Sequence, residues 1–302
     1  MSIFRPITDV PPIQWLEPTP WSMNHGTAVV YDGSRYIYVL RGYNTNSFAR
    51  YDTVYDSYQY LPGAPWSAQQ GAYIIYDRSR NRLWAIQGNG GTGFAYYDLN
   101  AHSWTSVAAL PVAANWGSWI EHTCSALYSG ANDDRIYYAP ANGSSAFYAY
   151  SISGNSFTSL ASAPGSLGAG SIGLWIYNYD PDKILVIRGG GTTDIYLYSI
   201  SGNSWTTYNY TPRATSFSTG TSAVYDPETN RVYISLSEGN RYIYYLDLNT
   251  ARMEVAGRVP LAYGREARRL AIVKDPQGRK WLYVFRGYEW APFAVWRLPL
   301  FY

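Results

Sequence analysis

The chain has 302 residues, of which 47% are hydrophobic, 18% aromatic and 15% charged, and its formal net charge is +2. This composition indicates a folded protein with a large core and excludes a disordered chain, and the small net charge gives no general attraction to nucleic acids or membranes. The single cysteine, Cys124, excludes an internal disulfide framework. No signal peptide and no apolar run long enough to cross a bilayer is present in the sequence.

The N-terminal residues 1–12 are rich in proline, and residues 13–21 form the first copy of a short repeated unit. Each copy begins with an apolar or aromatic residue and has a proline seven residues later. The six copies begin at Ile13, Tyr58, Trp104, Phe157, Trp205 and Met253. A repeat of this period is typical of an architecture built from similar structural units.

Four short strands are predicted in each unit. In the first unit they cover residues 26–32, 36–41, 48–52 and 58–61, separated by turns and loops rich in glycine, serine and asparagine. Five further units begin near Gly71, Gly117, Gly170, Gly220 and Gly264. No segment has helical apolar spacing over three turns, so we predict an all-β protein.

Radial repetition of four-stranded units predicts a six-bladed β-propeller that forms a single domain over residues 1–302. The aromatic strand at residues 293–296 has no fourth strand after it, because the chain ends at Tyr302. We therefore expect residues 13–21 to complete the C-terminal blade, which would remove two exposed sheet edges. The predicted blades cover residues 26–66, 71–112, 117–165, 170–213, 220–261, and 264–302 together with 13–21.

Three features of the units resemble the kelch repeat. Glycines follow the second strand, a tyrosine ends the third strand in four units, and an aromatic residue lies at a fixed place in the fourth strand. The glycines are Gly42, Gly88, Gly189, Gly190 and Gly287, and the fourth-strand aromatics are Tyr58, Trp104, Phe157 and Trp205. A full glycine pair is clear only in the fourth unit, so the repeats are divergent and the resemblance implies no particular partner.

In kelch-like propellers the loops after the second and fourth strands emerge on one face, which is the usual binding face. The resemblance places ten candidate residues there: Arg41, Gln87, Arg188 and Arg286 at matched positions, and Trp21, His25, Trp66, Trp116, Arg213 and Arg265 in the linkers. The arginines could bind an anion together, or each could pair with a neighbouring blade or cap a loop carbonyl. The tryptophans could stack on a sugar or contact a partner protein, or they could fill the gaps between blades.

Glu121, on the predicted inner strand of the third unit, is the candidate for acid–base chemistry. Kelch-like sialic acid mutarotases are six-bladed, so the resemblance implies an enzymatic alternative in which Glu121 and channel arginines act on an acidic sugar. We predict no metal site and no cofactor, because the histidines and the cysteine lack the spacing of a zinc site. These residues are His25, His102, His122 and Cys124.

The segment 252–286 contains nine basic and three acidic residues. Such a segment can meet an acidic partner or a nucleic-acid backbone, but no other unit repeats it, so nucleic acid is not the expected partner. The sequence favours a non-enzymatic interaction protein without membrane insertion, located in a virion or in the cytoplasm. A component of a larger assembly, such as a phage tail or capsid decoration protein, is the specific hypothesis. The alternative is a carbohydrate-binding or mutarotase-like propeller.

Overall fold

The computed structural model describes residues 13–23, 26–122, 134–141, 143–213, 216–236, 240–259, 268–286 and 295–300. These residues form six antiparallel sheets of four strands each. In chain order the strands are β1 (Gln14–Leu16), β2 (Ala28–Tyr31), β3 (Tyr36–Leu40), β4 (Phe48–Asp52), β5 (Ser57–Leu61), β6 (Tyr73–Asp77), β7 (Arg82–Ile86), β8 (Phe94–Asp98), β9 (Ser103–Ser106), β10 (Trp119–His122), β11 (Arg135–Ala139), β12 (Tyr148–Ser151), β13 (Ser156–Ser159), β14 (Ile172–Trp175), β15 (Lys183–Ile187), β16 (Ile195–Ser199), β17 (Ser204–Thr207), β18 (Ser222–Asp226), β19 (Arg231–Ser235), β20 (Tyr242–Asp247), β21 (Arg252–Arg258), β22 (Arg268–Lys274), β23 (Lys280–Arg286) and β24 (Val295–Pro299).

The first strand of each blade faces the centre of a ring. β2, β6, β10, β14, β18 and β22 contact one another in this order, and β22 also contacts β2. This closed order is that of a six-bladed β-propeller, so the predicted fold is confirmed. Alternating side chains of the middle strands pack against the two neighbouring blades, because successive residues of a strand point to opposite faces.

The ring is closed by the N-terminal strand. β1 pairs antiparallel with β24, and the order of that sheet is β1-β24-β23-β22. Trp15 lies opposite Trp296 with ring centroids 5.3 Å apart, and Arg297 donates a hydrogen bond to Gln14 at 2.6 Å. The predicted closure is therefore confirmed, although the paired strand covers only Gln14–Leu16 of the predicted segment 13–21.

Repeated tyrosines stabilise four of the blades from within. The tyrosine that ends the third strand is buried and contacts the aromatic ring of the fourth strand, with centroid distances of 4.9 to 5.3 Å. These pairs are Tyr51–Tyr58, Tyr97–Trp104, Tyr150–Phe157 and Tyr198–Trp205. The two tryptophans also reach the preceding blade, because Trp104 donates to the Pro62 carbonyl at 2.9 Å and Trp205 to the Ala161 carbonyl at 2.8 Å.

Candidate functional site

The central channel has two ends that differ in shape. The turns between the first and second strands of the blades surround one end, which we call the turn end; their residues include 32–35, 77–81, 180–182, 226–230 and 275–279. The opposite end, which we call the loop end, carries the linkers that enter the first strands and the loops after the second strands. The loop end corresponds to the face on which the kelch resemblance places a binding site.

The turn end contains a cavity of about 470 Å³ lined by residues from all six innermost strands. Its aromatic lining consists of Tyr31, Tyr73, Tyr76, Trp175, Tyr177 and Tyr225. Its charged lining consists of Asp32, Arg78, Glu121, Asp226, Glu228, Lys274 and Lys280. At the loop end the cavity measures only about 50 Å³. The larger cavity therefore lies opposite the face that the resemblance implies.

One of the turn-end carboxylates organises the local structure. Asp32 accepts hydrogen bonds from the backbone N–H groups of Ser34, Arg35 and Tyr36 at 2.8, 2.9 and 3.1 Å. An aspartate at this position fixes a tight turn by accepting from the residues that follow it. Oδ1 of Asp32 is thus occupied by hydrogen bonds from the backbone.

A buried ion cluster joins the fifth and sixth blades beside the cavity. Lys280 on β23 is 5% exposed, and its Nζ lies 2.5 Å from Asp226 Oδ1 and 2.9 Å from Glu228 Oε2. Lys274 also forms an ion pair with Glu228. Both lysines that line the cavity are therefore neutralised by blade-five carboxylates.

Arg78 differs from these lysines. Its side chain is exposed in the first turn of blade two, and it makes no ion pair with any residue in the described parts of the chain. Its guanidinium acts on the hydroxyls of Tyr31, Tyr76 and Tyr177, which belong to three different blades. Arg78 is thus a cation at the turn end whose charge no described carboxylate neutralises.

The tyrosine hydroxyls around Arg78 are proton donors at neutral pH. Burial raises the pKa of Tyr31 to about 12, and Asp32 adds to the increase while Arg78 opposes it. Burial also raises the pKa of Tyr76 and Tyr177, again against the effect of Arg78. The cavity therefore combines a cation, neutral hydroxyl donors and aromatic rings.

Glu121 lies on β10 and lines the turn-end cavity. The described side chains of Arg41, Arg188 and Arg213 do not line that cavity. Arg188 donates to Asp194 at 2.6 Å and to the Ser166 carbonyl at 3.1 Å, and Arg213 forms an ion pair with Glu254 at 2.6 Å. Two of these contacts fit the alternative in which each arginine pairs with a neighbouring blade or caps a loop carbonyl. Arg188 caps the Ser166 carbonyl, and Arg213 pairs with Glu254 of blade five.

The other loop-face candidates occupy separate positions. Arg41 donates to Ser22 at 3.4 Å and lies over Trp21 at 5.9 Å, and the side chain of Gln87 accepts from the Gly93 N–H at 3.3 Å. Arg286 ends β23, whereas Arg265, His25 and Cys124 lie outside the described residues. A shared binding site made by these side chains remains a prediction.

The three linker tryptophans differ in exposure. Trp21 is buried and contacts Tyr60 at 5.3 Å, and Trp66 is half-buried 6.4 Å from Trp104. Both positions suit residues that fill gaps between blades. Trp116 is 40% exposed and lines the small cavity of the loop end. Of the three, Trp116 is the residue most available to a ligand or partner.

Three described basic residues of the sixth blade are paired with carboxylates. Lys274 and Lys280 pair with blade-five carboxylates, and Arg279 pairs with Asp275 at 2.7 Å. In the described ranges no three His, Cys, Asp or Glu residues are grouped in a way that could hold a metal ion. Nor does that part of the chain contain a helix with the length and hydropathy needed to cross a membrane.

Sequence reasoning missed Arg78, the turn-end tyrosines and Lys280. The sequence did contain a signal for Arg78. It directly follows Asp77, the last residue of its strand, and the residues at the matching position of other blades are Gly33, Pro227 and Pro276. The kelch resemblance directed attention to the opposite face. An alignment of the six first turns would have shown this charged exception.

Comparisons with known proteins support the fold. No protein-family model and no curated protein matches the chain. The solved structure of YjhT matches with a TM-score of 0.64 and 12% sequence identity, over 93% of this chain and 95% of that chain. At this identity the similarity shows a shared propeller fold and nothing further.

Proposed function

We propose that this protein binds an acidic sugar in the turn-end cavity. The observation that carries the proposal is a cavity of about 470 Å³ in which Arg78, tyrosine hydroxyls and aromatic rings are combined. Pockets for small ligands usually measure roughly 300 to 1,000 Å³ and combine apolar walls with a few polar groups. The sequence-based alternative of a carbohydrate-binding propeller is thus favoured, with its site at the turn end.

Each part of the cavity suits one part of such a ligand. The Arg78 guanidinium can bind a carboxylate through two parallel hydrogen bonds. The protonated Tyr31 hydroxyl can donate to a sugar oxygen, and the aromatic rings can cover the apolar face of a pyranose. Tyr76 and Tyr225 already donate to Asn81 and Asn230, so their hydroxyl oxygens can accept from sugar hydroxyls. Glu121 supplies a carboxylate that can accept from sugar hydroxyls.

Glu121 also defines the enzymatic form of this proposal. Interconversion of sugar anomers requires removal of a proton from the anomeric hydroxyl and delivery of a proton to the ring oxygen. A carboxylate within reach of the anomeric hydroxyl can act as the general base. Magnetisation exchange between the anomers, measured by NMR with and without the protein, tests this activity, and Glu121→Gln should remove any acceleration.

Binding is tested by calorimetric titration with N-acetylneuraminate, galacturonate and neutral galactose. Arg78→Gln should weaken binding of the acidic sugars by about tenfold or more, because a hydrogen bond to a charged group contributes roughly 1.5 to 3 kcal/mol. Binding of galactose should change little. Arg213→Gln removes the same charge outside the cavity and is the matched control.

Two results with the variants would contradict the proposed location of the site. One is unchanged affinity for acidic sugars in Arg78→Gln. The other is a loss of affinity in Arg188→Gln, which would place the ligand at the loop end as the kelch resemblance implies. Absence of binding across all three sugars would remove the carbohydrate hypothesis.

The assembly hypothesis rests on a different observation. Several large apolar side chains are exposed on the outside of the ring, among them Trp15 (58%), Tyr55 (73%) and Tyr60 (65%). Exposed aromatic residues are enriched where proteins meet partners. A structural role in a virion or other assembly predicts that native mass spectrometry or particle imaging finds the protein in ordered complexes, and a protein that stays monomeric would contradict it.

A further inference from the structure

The loop end of the channel is surrounded by backbone groups of five glycines from five successive blades. They are Gly26, Gly71, Gly117, Gly170 and Gly220, and their φ angles lie between 77° and 87°. All five line the cavity of about 50 Å³, and none of the other described residues that line it is charged. The cavity is therefore lined by glycine backbone together with uncharged side chains.

Four of these glycines are the third residue of a hydrogen-bonded tight turn. The residue after the glycine donates to the carbonyl three positions earlier, at 2.9 to 3.0 Å. The bonds are Ala72 to Gln69, Ser118 to Asn115, Ser171 to Gly168, and Thr221 to Ser218. A positive φ at the third position, without one at the second, is typical of a type II turn.

Blades two and four show the direction of the central peptide group in this turn. The Gln70 carbonyl accepts from the Asn89 N–H at 2.7 Å, and the Ala169 carbonyl accepts from the Gly190 N–H at 2.9 Å. Both carbonyls thus point toward the loop after the second strand of their own blade. The N–H of a trans peptide points opposite to its C=O, so the next residue's N–H points away from that loop, toward the channel axis.

No hydrogen bond joins the N–H of any of the five glycines to another part of the chain that the structure describes. The backbones of neighbouring blades approach closely at these glycines: a Cβ atom on Gly71 would lie 1.9 Å from the Asn115 carbonyl oxygen, and one on Gly170 would lie 2.0 Å from the Ser218 carbonyl oxygen. Converging backbone N–H groups form concavities that bind anions. The ring therefore has the donors of an anion site.

We infer that the loop end binds one small inorganic anion of the size of chloride through this ring of N–H groups. A single water needs about 10 to 15 Å³ of such volume, so the cavity accommodates a halide ion with a water molecule but no sugar. The site lies at the opposite end of the channel from Arg78. It stands independently of acidic-sugar binding.

Crystals equilibrated in sodium bromide test the site directly. Bromide scatters anomalously, and we expect one strong peak on the channel axis within hydrogen-bond distance of the glycine nitrogens. Gln70→Glu places a carboxylate in the cavity lining and should remove the peak. Gln59→Glu makes the same change on β5, away from the axis, and should keep it.

A solution measurement covers the case in which the variant does not crystallise or fold. At fixed ionic strength, replacing a bulky organic anion by chloride should raise the Tm of the wild-type protein and of Gln59→Glu by about 2 °C. The Tm of Gln70→Glu should not respond. A wild-type crystal with only water at the ring, a bromide peak that persists in Gln70→Glu, or a wild-type Tm that ignores chloride would overturn the inference.

Discussion

One turn residue in each of three blades joins the blade to its predecessor. Its side-chain oxygen accepts from the buried tyrosine of its own blade and from a backbone N–H of the preceding blade, at 2.5 to 2.9 Å. The acceptors are Asp56 for Tyr51 and Glu17, Asn155 for Tyr150 and Ala108, and Asn203 for Tyr198 and Ala161. All three have φ between 43° and 50°, a region that Asn and Asp tolerate better than most residues.

Blade two departs from this pattern. His102 takes the place of the acceptor, and the buried Tyr97 hydroxyl makes no hydrogen bond to the described residues. The matching position of the preceding blade is Pro62, which has no N–H to donate. Blade two therefore lacks the side-chain acceptor at position 102, and the preceding blade lacks the backbone N–H donor at position 62.

His102→Asn should therefore stabilise the protein. The new amide oxygen would accept from Tyr97, and satisfying a buried hydroxyl contributes about 1 kcal/mol. The measurement is the free energy of unfolding in denaturant. Ala251→Asn is the control, because Ala251 has a similar φ of 53° but its blade ends the third strand with Leu246 instead of tyrosine. Equal gains in both variants would show that only backbone conformation is involved.

At the scale of the strands, an ionic or polar pair repeatedly links the second strand of a blade to the third. Arginine pairs with aspartate in three blades at 2.6 to 3.4 Å: Arg35 with Asp52, Arg82 with Asp98, and Arg231 with Asp247. In blades three and four the aspartate lies on the second-strand side instead, and it accepts a hydrogen bond from a serine of the third strand. These pairs are Asp134 with Ser151 and Asp182 with Ser199. The register is thus fixed by side chains whose identity changes between blades.

The aspartate of blade four makes this link sensitive to pH. Burial alone would raise the pKa of Asp182, but hydrogen bonds from Ser199, Ser201 and Lys183 outweigh it and lower the pKa to about 2. The unfolded value is about 3.9, so the ionised link stabilises the fold above about pH 4. This stabilisation is lost as the pH falls toward 2.

Asp182→Asn should accordingly flatten the acid side of the stability profile. Unfolding followed from pH 6 to about pH 2 should show a difference from wild type that shrinks as the pH falls. NMR titration gives the residue-specific check, since Ser199→Ala removes one hydrogen bond and should raise the Asp182 pKa. An Asp182 pKa that does not move in Ser199→Ala would refute this assignment.

The strands were predictable because local signals and the repeat agree. The copies at Tyr58, Trp104, Phe157 and Trp205 fall within the outer strands β5, β9, β13 and β17. Ring closure was predictable from the number of copies of the outer-strand segment. The copy that begins at Ile13 precedes the first unit, so it is available to complete the last one. The closing strand is shorter than the predicted segment, because Pro18 and Pro20 lack the N–H groups that a longer ladder needs.

At the scale of the whole molecule, the Lys280 cluster holds two blades together at the turn end. Lys280 and Asp226 side chains are 4% and 1% exposed, so their charges compensate each other away from water. Removing one partner of a buried pair leaves an uncompensated charge and costs roughly 3 to 5 kcal/mol. Lys280→Met should lower the free energy of unfolding by about this amount.

Lys274→Met provides the matched control for the cluster. Its side chain is 51% exposed and pairs with the equally exposed Glu228. Exposed ion pairs contribute roughly 0 to 1 kcal/mol, so this variant should unfold nearly as the wild type does. Equal effects of the two substitutions would show that burial does not govern the cluster.

The location of the candidate site could not be predicted from the sequence, for a physical reason. The widths of the two channel ends depend on how closely the six first strands and their linkers approach the axis. At the loop end Gly71 and Gly170 bring backbones together, whereas at the turn end Tyr31, Trp175 and Tyr177 leave a cavity between them. A repeat pattern identifies equivalent positions, but it does not give the distance between blades.

The most direct measurement is a crystal structure of the protein equilibrated with N-acetylneuraminate. We predict ligand density inside the turn-end cavity, with the sugar carboxylate against the Arg78 guanidinium and the pyranose among Tyr31, Tyr76 and Tyr177. Density at the loop end beside Arg188, or an empty turn-end cavity at a concentration that saturates binding in solution, would contradict the account.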